Sequence, residues 1–171
     1  MCVLKKFSLA NKERKMVENP SVQAVSTAKS IPGIEVLNGL APYAHWTLRI
    51  AIAGVFLYHG LTKFPDLGGM AAMMGLPVAL LTLVALAETA AGALVLIGGF
   101  LNNALGDLLT RLAGLAILPP MIGAIAMVHW GQWAFVPSDT HPIGGMEFQF
   151  TLVMLALYLI LMGNNIKRRA S

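Results

Sequence analysis

The chain contains a single cysteine, Cys2. It therefore has no intramolecular disulfide, no CxxC redox pair and no thiolate-rich metal site. No apolar leader precedes Cys2, so a lipid-modified end is not expected there. Charge is also scarce: 12% of the residues are Asp, Glu, Lys or Arg, 57% are hydrophobic, and mean hydropathy is +0.71. A soluble domain of 171 residues could not hide so much apolar surface, and lipid is the expected solvent. The net charge of +4 and the pI of about 9.5 do not point to nucleic acid. Lys5, Lys6, Lys12, Arg14, Lys15 and Lys29 precede the apolar region and Lys167, Arg168 and Arg169 follow it, so the basic residues read as topology signals and contacts with anionic lipid.

The apolar residues gather into four runs, at about 43–63, 77–99, 108–130 and 146–163, each near the roughly 20 residues that a membrane-crossing helix needs. The expected fold is all-α: a polytopic membrane four-helix bundle over 42–164, with short links that make successive helices antiparallel. Pro42 and Pro77 suit first helical turns, Asp107 suits the cap of the third span, and Gly163-Asn164 closes the fourth. The first link, Leu67 to Gly75, reads as a Gly-rich loop. The positive-inside bias places both termini in the cytoplasm and the first and third links outside, in a multi-pass protein of a bacterial-type inner membrane. Residues 1–41 read as a flexible or surface-lying tail, with Leu4, Phe7 and Met16 as a candidate anchor, and 165–171 as a basic tail.

Glu88 stands alone in the run from Pro77 to Phe100. An ionisable group at the bilayer centre costs about 2.5 to 3.5 kcal/mol on insertion scales, so it is expected to face the bundle interior. Its helical face, with Leu81, Ala85 and Gly92, suits close approach of another helix. Arg49 is the expected partner, at an estimated depth difference under about 10 Å. Two readings stay open for Glu88: half of a structural ion pair with Arg49, or a proton or ligand site. The other intramembrane polar residues lie toward the outer ends. His59 and Lys63 share a helical face, which together with His129 and Glu147, under Trp130 and Trp133, would form a pocket with the donors and aromatic walls that a quinone-like head group requires. His59 and Glu88 are the candidates for proton chemistry. The alternative is that Lys63 and His129 extend to the interface and Glu147 serves its own helix dipole. Pro119-Pro120 should kink the third span and free the carbonyls around Leu115 and Ala116. Bis-His haem ligation by His59 and His129, or zinc on those two with Glu147, has no supporting motif; no metal site and no intrinsic cofactor are expected.

The run R-I-A-I-A-G-V-F-L-Y-H-G-L-T-K-F from Arg49 to Phe64, then G-L-P at Gly75 to Pro77, A-E-T-A-A-G-A-L-V-L-I-G from Ala87 to Gly98 and the late His129 resemble the DoxX family of small four-helix membrane proteins. The resemblance covers about 43–163. Its most specific positions are Arg49, Gly60 and Lys63 in the first helix and Glu88 and Gly92 in the second. It implies a membrane subunit of a redox complex, such as the DoxD-like quinone-linked subunits of thiosulfate:quinone oxidoreductase. Distant relatives imply the alternative of a noncatalytic accessory or assembly factor. The implied partners are lipid and other subunits or a second copy of the chain, and the implied small molecule is a quinone.

Overall fold

The computed structural model describes residues 33–165. The candidate anchor, Cys2 and most of both basic tails lie outside the described residues. Two compact units divide after Leu40. In the first, α1 (Ile34–Leu40) makes the end of the expected tail helical. The second carries α2 (Ala44–Leu61), α3 (Leu67–Met74), α4 (Val78–Phe100), α5 (Ala104–Ala124) and α6 (Glu147–Met162). A π-helical turn, Ile125–His129, extends α5. There is no strand among the described residues.

Among the described residues, three helical stretches are long and apolar enough to cross a membrane: the one that includes α2, α4 itself, and α5 with its π turn. The fourth, α6, is apolar but only 16 residues long.

The first link is a helix and not a loop. Asp66 accepts the Gly69 N–H at 2.8 Å as an N-cap, Gly75 ends α3 at φ +65°, and the Ala and Met residues between them favour helix strongly enough to carry Gly68 and Gly69. α5 begins four residues before its expected start, because Asn103 and not Asp107 is its cap: the Gly106 N–H donates to Asn103 Oδ1 at 3.0 Å. The backbone remains α-helical through Pro119 and Pro120, and the departure from α geometry comes later, at the π turn.

The helices pack in chain order, α2 on α4, α4 on α5 and α5 on α6. Small residues set the contacts and reveal their antiparallel sense. A Cβ on Gly60 would stand 2.6 Å from the Thr89 backbone nitrogen, one on Gly92 would meet Leu57, and one on Gly99 would meet Arg49. Gly98 is as close to Thr110, and Gly114 to Ala156. In lipid no water drives helices together, so close packing and interhelical hydrogen bonds must do so. The distribution of side chains is inverted accordingly. Ile50, Leu83, Leu115, Ile122 and Leu161 face outward, whereas Arg49, Thr110, Glu88 and His129 are buried beside a core of Ile52, Phe56, Val95, Ile117 and Leu159.

Candidate functional site

Among the described residues, His45 is buried near the start of α2, and the other buried polar side chains, Glu88, Arg49, Thr110 and His129, belong to three groups. In the first, Lys63 follows the C-terminus of α2, and its Nζ donates to Glu88 Oε2 at 2.5 Å and to the His59 carbonyl at 2.8 Å. That carbonyl belongs to the last turn of α2, where no amide is left to bond it, so one ammonium caps α2 and neutralises the carboxylate of α4. Both charged side chains are largely buried.

The second group lies at the opposite end of the bundle. Arg49 is completely buried and has no carboxylate within salt-bridge distance among the described residues. Its Nη1 donates to the Val95 carbonyl at 2.7 Å and to Thr110 Oγ1 at 3.0 Å, and its Nη2 donates to Asn164 Oδ1 at 2.7 Å. Asn164 extends the network. Its Nδ2 donates to the Gly98 and Leu101 carbonyls at the end of α4, and its backbone N–H donates to Asp107 Oδ1 at 2.8 Å. Asp107 accepts from Arg111 Nε, and Arg111 Nη1 donates to the Ile160 carbonyl. Arg49 thus joins α2 to α4, α5 and the end of α6 through neutral acceptors.

The third group is His129, at the end of the π turn and 8% exposed. Its Nδ1 lies 2.8 Å from the Gly144 carbonyl and its Nε2 lies 3.0 Å from the Gln149 amide nitrogen of α6. The connection from Trp130 to Met146 folds back on α6 through Gly145 N–H to the Ala134 carbonyl, Met146 N–H to the Gln132 carbonyl and Glu147 N–H to the Trp133 carbonyl. Trp130 is 70% exposed, and Trp133 is half-exposed against Phe150.

Two sequence expectations change. Arg49 and Glu88 do not pair with each other. α2 lies along α4 such that Arg49 stands level with Gly99, eleven residues and about 16 Å of helix from Glu88, while Lys63 reaches back to the carboxylate. Nor do hydrogen bonds or ion pairs join His59, Lys63, His129 and Glu147 into one pocket. Lys63 is engaged by Glu88, Glu147 accepts the Phe135 N–H at 3.3 Å, and the exposed His59 ring stands edge-on to Tyr58. α2 and α6 also occupy opposite ends of the packing order. Thr110, Asn164 and Gln149 were missed because they are neutral. The signal available was their position: a polar residue in an apolar helix, or one closing it. Among the described residues no three His, Cys, Asp or Glu side chains are grouped as metal ligands would be.

The DoxX family model matches residues 44–130, just over half of the chain, from the first residue of α2 to the residue after the π turn. No curated protein and no solved structure matches.

Proposed function

The chain belongs to the DoxX family, and on that basis we propose that it is an integral membrane subunit of a quinone-linked redox complex that positions a quinone-like ligand near the outer side. In this reading α6 is a fourth crossing, both termini are cytoplasmic, and the membrane is a bacterial-type inner membrane. His129 is the observation that carries it. A titratable imidazole is held inside an apolar helix end, hydrogen-bonded to a second polar side chain and adjoining Trp130. Apolar aromatic surface with a few fixed polar groups suits a quinone head group, and imidazole exchanges protons near neutral pH. Lys63 and Glu88 join α2 to α4, and Arg49 ties the helices together at the far end of the bundle.

The test is titration of the purified, lipid-embedded protein with a short-chain quinone. His129→Ala is expected to weaken binding at least about tenfold, equivalent to about 1.4 kcal/mol. A wild-type protein that neither copurifies with quinone nor binds it in the titration would overturn the reading.

One observation favours a second reading, that of a noncatalytic accessory or assembly subunit: Arg49, Lys63 and Glu88 all make interhelical contacts. Under it, a deletion strain would lose its partner complex and His129→Ala would restore that complex fully.

A further inference from the structure

The two ring nitrogens of His129 face neighbours of different kinds. The Gly144 carbonyl can only accept, so Nδ1 carries a proton whenever that bond is made. An amide nitrogen can only donate, so Nε2 is bare and the imidazole neutral when Gln149 presents its Nε2. This arrangement leaves Gln149 Oε1 buried and without a hydrogen-bond partner. A buried carbonyl oxygen with no partner is costly, and it marks a place where a donor is wanted.

The amide has a second orientation. Rotated by half a turn, its oxygen accepts from a protonated Nε2–H of His129, and its NH2 group becomes the one left over. The charge of His129 and the hydrogen-bonding character of the free atom of Gln149 are therefore linked: an acceptor is offered while the imidazole is neutral and a donor while it is charged.

We propose that Gln149 reads the redox state of the ligand. A hydroquinone hydroxyl donates to Gln149 Oε1 with His129 neutral, and a quinone carbonyl accepts from Gln149 Nε2 with His129 protonated. The inference rests on the quinone reading above and adds the residue that distinguishes the two forms. Gln149 as a whole is only partly buried, and its neighbours Phe148 and Phe150 are exposed, so a ring carried in lipid approaches over an aromatic surface.

The other titratable groups around His129 are engaged elsewhere. In the connection, His141 Nε2 lies 2.8 Å from the Trp130 carbonyl. On α6, Glu147 accepts the Phe135 N–H, and Asp107 and Arg111 of α5 lie at its far end. Glu88 of α4 and Lys63 after α2 are hydrogen-bonded to each other. None of these groups makes a hydrogen bond or ion pair with His129 or Gln149 among the described residues.

The linkage gives opposite signs for the two ligands. Binding of the quinone takes up a proton, so its affinity rises as pH falls; the hydroquinone binds the neutral form, so its affinity rises with pH. A single proton sets the limit at about tenfold per pH unit. The experiment is titration of the full-length protein in lipid vesicles with a short-chain benzoquinone and, anaerobically, with its hydroquinone, over a range of about pH 5 to 8. Opposed slopes in the wild type, and weaker binding of both forms with flat profiles in Gln149→Leu, are the expected result. Parallel or flat wild-type slopes would overturn this inference while leaving the quinone reading intact, as would opposed slopes that persist in Gln149→Leu. If the wild type binds neither form, the quinone reading itself fails and this inference with it. The wild-type slopes decide the matter even where the variant does not fold.

Discussion

Lys63 and Glu88 are each expensive in lipid and acceptable together. Their contact depends on Gly60, since any side chain there would press on the Thr89 backbone and move α2 away from α4. Removing one partner leaves the other buried without compensation, which costs about 3 to 5 kcal/mol for a buried pair. Lys63→Ala and Glu88→Ala should each destabilise the purified protein by that order in denaturant unfolding. Lys63→Met with Glu88→Leu should lose less than either single variant, because apolar replacement of a whole pair is often nearly neutral. A double variant as unstable as the singles would place the loss in packing and not in charge. The sequence made Glu88 legible as an inward-facing residue. It did not disclose the partner, because a depth estimate assumes that helix ends are level, and Lys63 acts from beyond the end of its helix.

At the scale of the elements, the network of Arg49 and Asn164 closes the bundle at the end away from His129. A guanidinium fork can serve three acceptors on different elements at once, whereas an ammonium is a point charge on a flexible stem. Arg49→Lys and Asn164→Ala should therefore each destabilise the protein by about 1.5 to 3 kcal/mol, the range for hydrogen bonds to charged groups. Because they break the same bond, their effects should fall short of additivity in a double-mutant cycle, with an interaction term of about 0.5 to 3 kcal/mol. Strict additivity in unfolding experiments would show that the two act separately. This network was the least legible part of the chain. Hydropathy marks charges within apolar runs, but the partners of Arg49 are a threonine, a carbonyl and an asparagine 115 positions away, so only the fold identifies them. The turn chemistry of the first link was legible in principle, in Asp66 before the Ala and Met run and Gly75 after it, yet the paired glycines suggested a loop.

For the whole molecule, the apolar runs at about 43–63, 77–99, 108–130 and 146–163 coincide in the main with α2, α4, α5 and its π turn, and α6, since an apolar run of membrane length has few other structures open to it. The question they leave is whether α6 crosses. Its 16 residues span about 24 Å, short of a hydrocarbon core of about 30 Å. The connection before it is of a kind that can adjoin the boundary: the amides of Gly145, Met146 and Glu147 are bonded to the Ala134, Gln132 and Trp133 carbonyls, and Trp130, Phe135 and Ile143 are exposed, as in a segment laid at the membrane interface. This is what the proposed fourth crossing by α6 requires. The single cysteine makes the test simple. In a Cys2→Ser background on intact cells, a membrane-impermeant maleimide should label Asp66→Cys and Ser138→Cys directly, but Asn102→Cys and Ser171→Cys only after the membrane is opened. Labelling of Ser171→Cys from the same side as Ser138→Cys would mean that α6 turns back within the membrane, leaving three crossings and opposite termini on opposite sides.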